Sequence, residues 1–411
     1  LTLMEQGYIV RKTTDNLEAY DSLLRGIEPF FRYTPETNAQ ARQLWEKAVA
    51  LDPQYAEAYA WLSWTYWREA AARWSADPQT LERALTLAQQ ALALDDSLPR
   101  AHGVLSFVYV LQQRYEEAIA ESERATTLDP NNADLYTMRA FVLNSAGRPE
   151  GALRRVEQAM RLNPRYPPSY LFQLGWAYSA TGRYAEAIAT LKELIRRSPN
   201  FLYAHSLLAA SYVFQWVSQQ SADAQTLAQA LEATQRSLAL SNSFPLGHVF
   251  LGTVYLWQKQ YEQAQAELER AVALDPNGAV SYAALAEVLS CVGRTEDALE
   301  AVAQALRLKP ESADGHLGSV GTAYAVAGRY EEARAALQRY LSRYPNILGA
   351  HLTLAAVYSE LGKEAEARAE AAEVLRINPN FSLEVHKERV PIKDPVMLER
   401  QLAALRKAGL K

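Results

Sequence analysis

The side chains able to do chemistry in this 411-residue chain are few: six histidines and one cysteine, Cys291. A catalytic or metal site needs such groups at set spacings, with a nucleophile beside a base or several ligands meeting at one point. His316 and His386 have no cysteine or carboxylate at ligand spacing, and no base stands near Cys291, which reads as a half-buried inert thiol. A single cysteine excludes an intramolecular disulfide framework and any multi-cysteine metal site, and it fits a reducing cytoplasm. No glycine-rich phosphate loop is present, and the recurrent Gly-Arg pairs read as turns. Arg154-Arg155 and Arg196-Arg197 read as solvated. His102, His205, His248 and His351 are left, and whether they can meet depends on the elements that carry them.

Those elements are set by an internal repeat. Leu51-Asp52-Pro53 returns as Leu128-Asp129-Pro130, Leu162-Asn163-Pro164 and Leu274-Asp275-Pro276, with variants ending at Pro199, Pro310, Pro345 and Pro379 and two copies without proline at Asp96 and Asn242. The steps from Pro53 are 43, 34, 34, 35, 43, 34, 34, 35 and 34 residues, a 34-residue period with two nine-residue insertions. Within each period apolar residues follow helical spacing in two blocks, as in Leu174, Gly175, Tyr178 and then Tyr184, Ala187, Leu191, Leu194. Gly147, Gly182, Gly293, Gly328 and Gly362 part the blocks, where a left-handed residue ends a helix. Each unit is therefore a helix–turn–helix hairpin. A longer period of 146 residues relates repeats 2–5 to repeats 6–9, and the inserts agree in Ser75-Ala76-Asp77 and Ser221-Ala222-Asp223, each followed after one residue by Gln-Thr-Leu. The inserts should lengthen the first helix and its loop ahead of a capped second helix.

The pattern Leu251-Gly252-Thr253-Val254-Tyr255, Tyr261-Glu262-Gln263-Ala264, Glu269-Arg270-Ala271 and Leu274-Asp275-Pro276 resembles the tetratricopeptide repeat (TPR). Small residues at the Gly252 and Ala264 positions would let the two helices meet closely. Ten repeats are expected, closing near residues 53, 96, 130, 164, 199, 242, 276, 310, 345 and 379. The resemblance implies an all-α, right-handed α-solenoid over 17–379, preceded by a linker remnant over 1–16 and followed over 380–411 by a linker and a capping helix. Asp394 should cap that helix, Leu398, Leu402 and Leu405 should line it, and Gly409 should end it. The four histidines then stand at the fourth position of different repeats, where the family has bulky packing residues such as Tyr136 and Tyr282, so they cannot converge on one metal.

The ending Asn378-Pro379-Asn380-Phe381-Ser382-Leu383-Glu384, Lys393-Asp394-Pro395 and Leu405-Arg406-Lys407-Ala408-Gly409-Leu410 resembles the C-terminal TPR regions of bacterial class III adenylate and guanylate cyclases. That resemblance, with Leu1 in place of an initiator methionine, implies an N-terminal catalytic domain outside this chain. No cyclase catalytic residues are carried over. Related TPR regions also follow winged-helix regulators and kinases.

Function is then expected on a surface. By the same resemblance, positions 2, 5, 9, 12 and 13 of the first helix line the concave groove, and here they include Trp64, Trp67, Phe107, Leu111, Phe141, Phe172, Trp176, Phe214, Leu256 and Trp257. The charges there are few: Glu57, Arg68, Arg100, Asp134, Glu287 and Glu360. The basic and Asn residues with which chaperone-binding members clamp a terminal carboxylate are missing. Two readings of the aromatic stripe stand, a buried core or an apolar groove for an amphipathic helix or extended peptide. Composition agrees with a globular scaffold: 49% apolar, 22% charged and a net charge of −5, with no run of five like charges to suggest a nucleic-acid surface and no stretch that spans a membrane. The expected function is a non-catalytic protein-interaction scaffold without a cofactor. The rivals are a ligand- or partner-sensing region of a transcription regulator or kinase, a site for a small apolar ligand, and a self-association module.

Overall fold

The computed structural model describes residues 14–75, 77–223, 225–308 and 316–411. The expected linker remnant, apart from residues 14–16, and the repeat closure at Pro310 lie outside the described residues. The chain divides into two compact units, Leu1–Leu174 and Gly175–Lys411. Every regular element among the described residues is a helix.

In unit 1, α1 (Leu17–Phe30) packs on α2 (Pro35–Leu51), α3 (Ala56–Ala71) on α4 (Thr80–Leu94), α5 (Pro99–Leu111) on α6 (Tyr115–Leu128) and α7 (Ala133–Ser145) on α8 (Pro149–Leu162). The division between the units falls inside α9 (Pro168–Ala180). Unit 2 continues with α10 (Tyr184–Arg197) and the hairpins α11 (Leu202–Val217) with α12 (Thr226–Leu240), α13 (Pro245–Trp257) with α14 (Tyr261–Leu274), α15 (Ala279–Cys291) with α16 (Thr295–Leu308), α17 (His316–Val326) with α18 (Tyr330–Arg343) and α19 (Leu348–Glu360) with α20 (Glu364–Ile377). It ends in α21 (Leu383–Arg389) and α22 (Pro395–Lys407). The short α21 falls in the stretch expected to be a linker. In each unit the odd-numbered helix of one hairpin also packs on that of the next, as α3 does on α5 and α11 on α13, which makes the array a solenoid.

The hairpins close as the small residues require. A Cβ added to Gly252 would stand 2.7 Å from Leu268 Cγ and 3.0 Å from the Ala264 carbonyl oxygen, so α13 can lie on α14 only because that position is bare. At the turns, Gly147 has φ 70° and its N–H donates to Asn144 O while Arg148 N donates to Leu143 O, the Schellman arrangement. The same left-handed turn forms without glycine at Tyr33, Arg73, Gln113, Gln219 and Lys259, each with φ near 55–61°. Packing on both sides of these turns outweighs a local cost of about 1 kcal/mol.

The two inserts share one local geometry. Helices α3 and α11 each run 16 residues, against 13 in α5 and α13. Asp77 Oδ1 accepts from Gln79 N at 2.9 Å and Thr80 Oγ1 donates to Asp77 O at 2.8 Å; Asp223, Gln225 and Thr226 do the same at 2.8 and 2.7 Å. The inserts therefore lengthen the first helix and build one turn twice, and the carboxylate that organises the second helix stands two residues before the glutamine.

Candidate functional site

The histidines resolve first. His102 Nδ1 lies 2.5 Å from Glu121 Oε2 and Nε2 2.9 Å from Asp96 O; His248 repeats this with Glu267 and Asn242 O, and His351 with Glu370 and Pro345 O. His205 Nε2 contacts Pro199 O, and Tyr136 Oη, at the same position, donates to Pro130 O. In these five first helices the fourth position is thus a latch to the loop six residues before it. Among the described residues no three His, Cys, Asp or Glu groups gather to hold a metal. Cys291 is buried outright rather than half-buried, and burial, with Glu287 adding, pushes its thiol well above the usual range. The thiolate needed for nucleophilic chemistry is disfavoured there.

In unit 1 the inner positions of α3, α5 and α7 form two rows. The aromatic row runs Trp64, Phe107, Phe141, with Trp67 beside it. Ring centroids stand 6.2 Å apart for Trp64 and Phe107, 4.8 Å for Trp67 and Phe107, 5.9 Å for Trp67 and Phe141, and 4.6 Å for Phe107 and Phe141. Trp67 and Phe107 are 8% and 7% exposed, whereas Trp64, Leu111 and Phe141 are half-buried. Trp67 Nε1 donates to Phe107 O at 2.9 Å. Trp64 rests on Trp61 and Phe30 at 5.4 and 5.1 Å, and its Nε1 is buried without an acceptor. Trp67 therefore turns its indole into the core, while at position 9 Trp64 and Phe141 leave an edge outside it and Phe107 between them is covered. Phe172 and Trp176 are half-buried as well.

The polar row occupies position 2. Arg100 Nε donates to Glu57 Oε1 at 2.7 Å, Trp61 Nε1 donates to the same oxygen at 3.1 Å, and the guanidinium stands 4.1 Å over the Trp61 ring. The half-buried Asp134 has its carboxyl raised above its ordinary range by desolvation, an effect opposed by the Tyr170 hydroxyl at 2.7 Å and by Arg100. Arg68 lies over the Phe30 and Tyr33 rings and donates to Phe30 O. Both inner guanidiniums are engaged by the protein itself, so neither can serve as a carboxylate clamp.

Unit 2 differs. Leu256 is 1% exposed and lies in the α13–α15 core, while Phe214, half-buried, stacks on buried Tyr184 at 5.9 Å. Trp257 is half-buried. A segment from Asn378 to Lys393 crosses the ends of α11, α13 and α15. Asn378 Nδ2 donates to Ser218 O, Arg389 to Trp216 O and Ser221 O, Lys259 Nζ to Glu388 O, and Lys393 N to Cys291 O, at 2.7–3.1 Å. The Gln219 amide grips Ser382 from both sides, accepting from its N–H and donating to its C=O at 2.9 Å. This strap was not read from the sequence; the only signal for it was the apolar set Phe381, Leu383 and Val390, all buried, ahead of the last helix. Asp394 accepts from Val396 N at the start of α22, and Leu402 and Leu405 are fully buried in the core it shares with α19.

His386, also in the strap, is buried with no acceptor for Nε2, and burial lowers its pKa to about 4, with Gln401 opposing. The folded ring stays neutral while the released one takes a proton below about pH 6.5, so stability is full above that pH, falls towards pH 4 and then levels off. A shift of that size corresponds to roughly 3 kcal/mol. Urea unfolding should show wild type losing more stability than His386→Leu between pH 7 and 4.5; parallel losses would refute the assignment.

Three profiles described as tetratricopeptide repeat match residues 99–132, 143–210, 245–311, 292–347 and 327–387, together more than half of the chain. The putative adenylate cyclase 3 of Rhizobium meliloti (strain 1021) is 33% identical over 102 residues, which cover 25% of this chain and only 17% of that protein. Among solved structures, the human IFIT1 dimer with m7Gppp-AAAA is similar with a TM-score of 0.53 at 14% identity, covering 91% of this chain and 93% of that one. A thermophilic TPR protein of Thermus thermophilus is 26% identical, with a TM-score of 0.42 over 49% of this chain and 98% of that one. No helix among the described residues is long and apolar enough to cross a membrane.

Proposed function

This chain belongs to the tetratricopeptide repeat proteins, and from that premise we propose that it is a non-catalytic interaction scaffold whose unit 1 aromatic row receives an apolar helix or extended segment of a partner protein. The observation that carries this is the half-open row Trp64, Leu111, Phe141 set beside cations that are already engaged: such a surface recognises apolar shape and not a charged terminus. Phe172 and Trp176 are proposed to extend contact area, while Phe214, Leu256 and Trp257 have a packing role in unit 2. The wider setting is the C-terminal regulatory region of a bacterial signalling protein, a class III nucleotide cyclase first of all. The 102-residue similarity to a putative adenylate cyclase supports it.

An exposed indole edge that becomes buried on binding contributes about 2 kcal/mol, close to thirtyfold in affinity. With a photo-reactive phenylalanine analogue at Phe141, capture of a partner from host extract should be stoichiometric and should fall more than tenfold in Trp64→Ala, whose helicity by circular dichroism stays near wild type. Undiminished capture would place the partner elsewhere. Cyclisation of ATP or GTP by this chain alone would overturn the non-catalytic reading.

A further inference from the structure

The strap of unit 2 is held differently from the helices around it. Between Asn378 and Lys393 only α21, seven residues long, is regular. Most of its grip on the edge formed by the ends of α11, α13 and α15 comes from side-chain to main-chain hydrogen bonds. Gln219, whose own φ of 55° belongs to the left-handed turn after α11, reads the main chain of Ser382 in both directions. Seven residues on, Arg389 places its guanidinium 3.7 Å over the Trp216 ring and donates to Trp216 O and Ser221 O. Lys259 and the Cys291 carbonyl take the main chain of Glu388 and Lys393. The edge thus reads the main chain on either side of the short α21 and one cation at its end, the features by which a surface can hold a peptide in a fixed register.

We infer that this edge is a peptide-binding site, separate from the aromatic row, and that residues 378–393 are its built-in occupant. Its ligand class is a segment that forms a short helix like α21, with the main chain of its N-cap residue gripped by Gln219 and an arginine seven residues on, at the end of that helix. A partner carrying that pattern competes with the strap, so the site is open in proportion to how often the strap leaves. The tether keeps the strap at high effective concentration, and an external segment gains entry once the tethered copy is weakened.

The probe is a dye-labelled synthetic peptide with the sequence of residues 378–393, titrated into the full-length chain by fluorescence anisotropy. Wild type should bind it weakly and Arg389→Ala at least tenfold more tightly, because the weakened strap yields to the intact peptide. The same peptide with its arginine replaced by alanine, or the double variant Gln219→Ala/Arg389→Ala, should lose tenfold or more of that gain. Equal binding by wild type and Arg389→Ala, or none by either, overturns the inference. Should Arg389→Ala fail to fold, wild type serves: excess peptide should speed hydrogen exchange at the Ser382 and Lys393 amides, and unchanged exchange overturns the inference.

Discussion

Replacing Trp67 with alanine is expected to cost unit 1 about 3–5 kcal/mol, the range for truncating a large aromatic side chain in a packed core. The ring is 8% exposed, touches Phe107 and Phe141, and donates its N–H to the Phe107 carbonyl. Truncation opens a cavity beneath α5 and removes that carbonyl's side-chain donor together. Urea unfolding followed by far-ultraviolet circular dichroism measures the loss, and a change under about 1 kcal/mol would mean that the indole faces solvent. Trp64→Ala should be markedly milder, since that ring is only half-buried. The pair separates the two readings of the stripe: a large loss for Trp67 marks core, and a small one for Trp64 leaves that ring to the proposed partner.

Glu57→Ala should cost about as much, about 3–5 kcal/mol, because it leaves Arg100 charged, buried and without its carboxylate, and orphans the Trp61 N–H. The Arg100 and Glu57 side chains are only 12% and 10% exposed, so water cannot readily replace the lost partner. Glu57→Gln retains an oxygen for both donors and should lose less. The double substitution Glu57→Leu/Arg100→Met should recover much of the single variant's loss, since apolar residues of similar volume carry no desolvation cost. If Glu57→Ala and the double variant were equally destabilised, the ion pair would be incidental to packing of the position-2 row.

The sequence carried the hairpin unit because each repeat's instructions are local. Small residues at the Gly252 and Ala264 positions, left-handed turns at Gly147 and its equivalents and apolar residues at helical spacing all act within one repeat or between neighbours, and repetition made them legible. It also placed the four histidines in different repeats, and each is engaged by the loop before its own helix. Two things lay outside its reach. Five left-handed turns form at Tyr33, Arg73, Gln113, Gln219 and Lys259, where no glycine announces them and neighbouring helices impose the conformation. The split between Trp64 and Trp67, three residues apart on one helix, follows from what the next helices lay over each: Phe107 and Phe141 cover Trp67, while Trp64 is only half-buried.

What the amino-acid sequence determined by itself is therefore the family and the helical hairpin, both products of short-range periodic packing. Only the tertiary structure decided which inner residues are covered. That depends on contacts such as Asn378 with Ser218 and Arg389 with Trp216, between residues 160 and 173 positions apart. No periodic pattern records such contacts. They arise because a strap without repeat character lies where curvature brings three helix ends together, so one unit's edge is closed by its own chain while the other unit leaves its aromatic row half open.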